Sequence, residues 1–415
     1  MARLAYSILL WLLLPQALLH LYWRARRQPA YRQHIGERFG RYDFSIAAPV
    51  IWVHAVSVGE TRAAAPLIAA LQGKYPAHRI LLTHMTPTGR ETGISLFGDG
   101  VERCYLPYDF PSGVTAFLQH FKPVCGILLE TEIWPNLIRA CNVRQIPIYL
   151  VNARLSDKSF RRYRRFGTLV TAALRGFTAV AAQSRDDTTR LEALGARGVH
   201  ITGNLKFDQS ADATMITRGT LWRRQYGPRP VLLLASTREG EEELFLQALP
   251  PNDVAAPLIL MVPRHPQRFN AVATLLAQHA ITFQRRSGEK PVATNTRVLL
   301  GDSMGEMAAY FAACDIAIIC GSFLPYGAHN LIEACALGKP VVVGPHDYNF
   351  AEAVRFAVAA GAAIQVDSAV AALAAARDLL ADQPRFERMA ESGRAFVRQH
   401  AGSTQRILDL INVPG

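Results

Sequence analysis

The chain has 415 residues, half of them hydrophobic, and carries 45 Lys and Arg against 33 Asp and Glu for a formal net charge of +12. That length exceeds one ordinary core and predicts two domains of roughly 150 to 200 residues each, while the apolar content excludes a disordered chain. The basic excess predicts an anionic partner: nucleic acid, a negatively charged membrane face or a phosphorylated substrate.

The first predicted element is an apolar helix. Residues Leu4 to Trp23 read LAYSILLWLLLPQALLHLYW, a nearly charge-free run of the length needed to cross a bilayer. Arg3 precedes it and Arg24, Arg26, Arg27 and Arg32 follow, so the positive-inside rule puts the rest of the chain in the cytoplasm. A cleaved signal peptide is disfavoured by the thin basic start and the lack of an A-x-A site. Pro15 and His20 interrupt a clean span and leave a shallow, membrane-embedded helix open. The expectation is a membrane anchor over 1–23 with the catalytic part inside.

Short apolar runs then alternate with helix-like segments. Val50 to Val53, Ile80 to Thr83, Gly126 to Leu129, Ile148 to Val151, Ala179 to Ala182 and Val199 to Thr202 read as strands, which predicts a parallel sheet wrapped by helices. The first run leads into HAVSVGETRAAAPL. Ser57-Val58-Gly59-Glu60 fits a capping box, yet a helix capped at Ser57 would carry Pro66 in its third turn. A start nearer Glu60 or Thr61 would leave that carboxylate free to take a proton, so cap and base are both open at this point.

Further on, LLETEIWPNL places Glu130 and Glu132 at the end of an apolar strand. Two carboxylates so close repel and shift each other's pKa when partly buried; otherwise one faces solvent and the other caps the next helix. The run Arg161-Arg162-Tyr163-Arg164-Arg165, flanked by Phe160 and Phe166, reads as a basic patch for phosphate and membrane or as a solvated helix. GNLKFD closes the first half, and its Lys206 could reach a developing anion.

Residues 207–230 form a polar break, after which the pattern restarts with VLLLAS, LILMVP, VLLGD, DIAIIC and PVVVG. Two Rossmann-like halves are expected, an α/β fold with boundaries near 24–210 and 211–415, the last helix being free to pack back on the first half. Ligands in such sheets bind outside the carboxyl ends of the strands. There the chain shows Ser236 to Glu241, Pro263-Arg264-His265, Ser303-Met304-Gly305-Glu306 and His329 to Glu333. Small residues, an Arg and a His, and a carboxylate one turn into a helix suit a sugar nucleotide. Ser303-x-x-Glu306 and Asn330-x-x-Glu333 also read as capping boxes; their clustering at successive strand ends favours the ligand. No D-x-D pair, no G-x-x-x-x-G-K-[ST] loop and no metal-spaced Cys/His cluster occurs, so the charge of a nucleotide-activated donor must be neutralised by Lys, Arg, His and helix ends. The six scattered cysteines read as buried free thiols.

HAVSVGE, LLETEIWPNL, VNARLSDKS, GNLKFD, VPRHPQRF, GDSMGEM and HNLIEACALGKPVVVGPHDYNF, in that order, resemble the 3-deoxy-D-manno-octulosonic acid (Kdo) transferases of Gram-negative bacteria. The resemblance implies a GT-B fold of two Rossmann-like domains facing a cleft, the first taking the lipid A precursor lipid IVA and the second CMP-Kdo. It implies metal-independent, inverting transfer of Kdo at the inner face of the inner membrane, with no nucleic acid involved. Carried over by motif, Glu60 resembles the general base, and Glu130 (or Glu132) with Lys206 the residues that support the transition state. Pro263, Arg264 and His265, then Met304, Gly305 and Glu306, then Asn330, Leu331, Ile332 and Glu333 resemble the donor-binding elements. Two rival readings are a two-domain glycosyltransferase using a UDP-sugar and a membrane-tethered, basic nucleic-acid-binding protein.

Overall fold

The structure, a computed structural model, describes residues 1–209, 212–249 and 256–413. The chain forms two compact units, Met1–Gln209 with Ala401–Gly415, and Ser210–His400.

In the first unit seven strands make one sheet: β1 Val50–His54, β2 Arg79–His84, β3 Glu102–Tyr105, β4 Cys125–Leu129, β5 Ile148–Ala153, β6 Ala179–Ala182 and β7 Val199–Ile201, in the order β3-β2-β1-β4-β5-β6-β7. All pairs are parallel. Every residue of β1, β4 and β5 is buried, as a sheet covered on both faces requires. Successive side chains point to opposite faces. Trp52, Leu128 and Leu150 enter one core with Phe117; Ile51, Val53 and Leu129 enter the other with Leu67 and Leu71 of the helix Val58–Lys74. The C-terminal helix Ser403–Leu410 completes that second core with Ile407 and Leu408. The Asp208 carboxylate accepts from the Gly402 amide at 2.6 Å and from the Thr404 amide.

The second unit repeats the plan with β8 Val231–Thr237, β9 Leu258–Pro263, β10 Phe283–Arg285, β11 Val298–Leu300, β12 Ile316–Ile319, β13 Val341–Val343 and β14 Ala363–Gln365, ordered β10-β11-β9-β8-β12-β13-β14. Its pairs are parallel too.

Three features depart from the sequence reading. Strands β3, β10 and β14 have no counterpart among the predicted runs. All three are edge strands, short and polar enough (ERCY, FQR, AIQ) that no continuous apolar run marks them. The predicted break 207–230 is largely ordered: Leu205–Asp208 forms a 3₁₀ turn and Ala213–Gln225 a helix, while Ser210 and Ala211 lie outside the described residues. That helix crosses Met307–Ala313 at Gly219, where an added Cβ would meet the Ala309 carbonyl oxygen at 2.1 Å. Finally, the helix after β1 begins directly after Ser57 and holds Pro66 inside it. Proline already has a helical φ, and the one hydrogen bond it forgoes is outweighed by the burial of Ala63, Ala64, Leu67 and Ile68 around it.

Candidate active site

In each sheet one pair of neighbouring strands marks the topological switch point, where the chain reverses its direction of winding and the crevice at the carboxyl ends opens. In the first unit the pair is β1 and β4; in the second it is β8 and β12.

Around the first switch point sit Glu60, Glu130, Glu132 and Lys206. Glu60 lies in the first turn of the helix Val58–Lys74, half-buried. Its carboxylate accepts from the Val56 amide at 2.8 Å and the Ser57 hydroxyl at 2.9 Å, and the Ser57 hydroxyl in turn lies 3.5 Å from the Glu60 amide. Ser57 thus caps the helix, while the Glu60 carboxylate reaches back to the Val56 amide and not to the Ser57 amide that a full capping box engages. The same carboxyl is pushed up to about 7, by burial first and then by the negative charge of Glu130, against the two hydrogen bonds that favour its ionised form. Support of the helix start and a titratable group near neutrality are therefore one side chain, and the two readings of Glu60 do not compete.

Glu130 directly follows β4 with φ +59°, in the left-handed region that a residue with a Cβ seldom occupies. Its amide still pairs with the Val151 carbonyl at 2.9 Å, so the turn follows immediately on the ladder. The Glu130 carboxylate lies 3.8 Å from the Lys206 ammonium, both half-buried. Glu132 accepts from the Trp134 indole N–H, and burial raises its pKa. His54, fully buried below, is held down to about 3 by burial and by His84. Its Nε2 lies 3.9 Å from Glu132; with so low a pKa the pair is a neutral imidazole beside a carboxyl and not an ion pair. His54 is not among the predicted site residues; its signal is a polar residue at the end of the run VIWVH.

Around the second switch point, Ser236 mirrors Glu130, with φ +62° at the end of β8. The buried Glu241 carboxylate ties this turn to the one after β12, accepting from the amides of Arg238 at 2.9 Å, Gly321 at 2.7 Å and Phe323 at 3.0 Å. Glu241→Ala would strand these amides and is expected to destabilise the unit by about 2–4 kcal/mol, read as a lowered midpoint in urea denaturation of the full chain.

Pro263 is buried at the end of β9, with Arg264 and His265 exposed beyond it. Arg238 Nη1 lies 2.9 Å from His265 Nε2, and its guanidinium covers the Tyr326 ring at 4.5 Å. His329 is pressed down to about 3 by burial and then by Arg264, Arg238 and His265, and its buried Nε2 has no hydrogen-bond partner. Gly321, at φ +73°, leaves room for that ring, 2.8 Å from where a Cβ would stand. Arginines gathered around neutral imidazoles make an electropositive surface suited to phosphate. Arg238 and His329 belong to it although neither stood among the predicted site residues; both lie in turns the sequence had already marked.

The other predicted donor residues fall into two groups. Met304 and Gly305 are exposed, and Glu306 is engaged by Arg218 at 2.8 Å, Arg286 at 3.5 Å and the Ser303 hydroxyl. Glu306 is itself the N-cap residue of Met307–Ala313, so Ser303-x-x-Glu306 is no capping box: the helix starts three residues too late. Asn330 accepts from the Ile332 amide at 3.1 Å and donates to Glu333 at 2.9 Å. The side chains of Leu331 and Ile332 are buried in the core, leaving Asn330 and Glu333 as the accessible members.

Two parallel seven-stranded units of this kind define an α/β protein of GT-B-like fold. The UDP-GlcNAc 2-epimerase of Neisseria meningitidis shares the fold, with a TM-score of 0.59 at 17% identity over 87% of this chain and 99% of that one. A family model described as 3-deoxy-D-manno-octulosonic-acid transferase (kdotransferase) matches residues 33–209, and one described as glycosyl transferases group 1 matches residues 278–396. The chain is 44% identical to the 3-deoxy-D-manno-octulosonic acid transferase of Bordetella pertussis, covering 99% of both chains. It is 37% identical to that of Haemophilus influenzae, covering 99% of this chain and 98% of the relative. The chain belongs to the Kdo transferase family and is a glycosyltransferase.

Proposed function

We propose that the chain transfers Kdo from CMP-Kdo to the 6′-hydroxyl of lipid IVA, with inversion and without a metal, in lipopolysaccharide biosynthesis at the inner face of the inner membrane. The observation that carries the mechanism is the Glu60 carboxyl, half-buried beside Glu130 and poised to ionise near pH 7. In the single displacement the acceptor oxygen forms a bond to the anomeric carbon while its proton passes to Glu60. The bond from that carbon to the phosphate oxygen breaks, and its electron pair leaves with CMP. One base suffices for such a step. Lys206, held at Glu130, lies on the side of the base and can offset negative charge there. Arg238 and Arg264 would neutralise the leaving phosphate monoester, which needs less charge than a diphosphate, with the His265 imidazole, its pKa lowered by burial and by the neighbouring arginines, beside them as a neutral hydrogen-bonding group. Glu333, positioned by Asn330, would accept from the ribose hydroxyls.

Charge supports an anionic lipid acceptor. Arg161, Arg162, Arg164 and Arg165 are exposed on and just after the helix Asp157–Arg164, and Phe166 beside them is 58% exposed. That combination suits phosphates at an apolar surface. The test is product mass spectrometry after incubating the purified full chain with lipid IVA and either CMP-Kdo or a panel of UDP-sugars. A mass gain of Kdo with CMP-Kdo alone is expected; turnover only with a UDP-sugar would overturn the donor assignment.

A further inference from the structure

The helix Ala2–Arg27 is apolar enough to span a bilayer, yet its first turns are fastened to the globular unit by polar contacts. Arg3 Nη1 lies 3.2 Å from Asn136 Oδ1, and Asn136 Nδ2 donates to the Ser7 hydroxyl at 3.0 Å. The Tyr6 hydroxyl bonds the carboxylate of Asp109. Asp109 and Asn136 are buried, at 5% and 2% exposure. Asp109 is a built part of the unit, accepting from the amides of Asn136 at 3.0 Å and Leu137 at 2.8 Å at the start of the helix Pro135–Val143. One turn further on, the Trp11 ring lies 4.5 Å from that of Phe110.

The less exposed residues of the helix gather in its first half and near its end, with Pro15 to His20 exposed between them. Ser7 and Ala25 are buried and Leu10, Leu14 and Leu21 intermediate, a spacing of three, four, seven and four that keeps to one side of a helix. The opposite side bears Leu9, Leu12, Leu19 and Trp23, between 50% and 72% exposed. Arg26 and Arg32 gather on the Tyr22 ring at 5.6 and 4.6 Å at the far end.

A spanning helix of 26 residues is about 39 Å long and would carry Arg3 and Ser7 across roughly 30 Å of hydrocarbon, away from Asn136. It would also take the Arg3, Tyr6 and Ser7 side chains away from the Asn136 amide and the Asp109 carboxylate. We infer that the helix does not cross the membrane: it lies in the interface of one leaflet, fastened to the first unit by its first turns, with its N-terminal tip on the same side as Glu60. Exposed Leu and Trp enter the acyl boundary while the arginines meet anionic headgroups. The inference rests on the membrane association proposed above.

The test uses the full chain expressed in a bacterial host, carrying Ala2→Cys at the exposed tip or Glu192→Cys on the exposed surface of the first unit. The six native cysteines are buried, so background modification is low. A membrane-impermeant maleimide is applied to intact spheroplasts and to inverted vesicles. Both variants are expected to be protected in spheroplasts and modified in inverted vesicles. Modification of Ala2→Cys in spheroplasts, with Glu192→Cys protected, would establish a span and overturn the inference alone. Protection of Ala2→Cys on both sides would bury the tip in hydrocarbon and overturn it as well. A chain found wholly in the soluble fraction would instead sink the membrane reading, and this inference with it.

Discussion

Glu60→Gln is expected to lower turnover by about 10²–10⁴-fold, the range for removal of a positioned general base, with little loss of stability. The comparison with Glu60→Ala separates the two jobs of this side chain. Gln keeps an oxygen that can accept from the Val56 amide or the Ser57 hydroxyl, so the cap survives in part. Ala removes both acceptors and adds a capping loss of about 1 kcal/mol. A residue that only capped the helix would leave Glu60→Gln near the parent rate, and that outcome, read as kcat at saturating donor and acceptor, would end the base assignment.

The pH dependence has a definite sign. The carboxyl titrates at about 7, above the ordinary 4.5, and only its ionised form accepts a proton. The rate should therefore climb roughly tenfold per pH unit below 7 and level off by about pH 8. Stability runs the other way. A raised folded-state pKa means that the folded chain binds more protons than the unfolded one between the two values. The contribution of Glu60 is thus full below the unfolded pKa and lost as pH rises through about 7. Activity and this part of the stability oppose each other across the same window, and Glu60→Gln should abolish both dependences.

Lys206→Ala is expected to lower kcat by about 10²–10³-fold if its charge serves the transition state, and it should also move the acidic limb of the rate profile. Lys206 stands 3.8 Å from Glu130, and the Glu130 charge is, after burial, the next cause that holds Glu60 high. Without the lysine, Glu130 acts on Glu60 unscreened, so the limb shifts to higher pH. Glu130→Gln removes the repelling charge and shifts it to lower pH. Opposite displacements in kcat–pH profiles are the signature of this coupling; two unmoved limbs would show that neither charge acts on Glu60.

How much of this was legible depended on what kind of force decided each feature. The inner strands were readable as LLL and VVV runs because both faces of a parallel sheet are buried and every position must be apolar. The edge strands Glu102–Tyr105, Phe283–Arg285 and Ala363–Gln365 were not, because they owe their conformation to one neighbouring ladder and carry no such run. Pro66 misled the placement of a helix start: local cost argued against a helix that tertiary burial of Ala63, Ala64 and Leu67 maintains. Ser303-x-x-Glu306 had the letters of a box, but its carboxylate was claimed by Arg218 and Arg286, residues 88 and 20 positions away.

By itself the sequence determined the class of the fold, the turns that carry the candidate residues and the family, since each is written in local patterns: apolar period, strand-end polar residues, motif order. Only the tertiary structure decided what those residues do to one another. The pKa of Glu60 comes from its burial and from Glu130 on another strand. The charge at Glu130 is balanced by a lysine beyond β7, and the turns after β8 and β12 are joined by one carboxylate. Electrostatic and hydrogen-bond energies depend on distance and burial, and distances between residues remote along the chain exist only once the sheets have assembled.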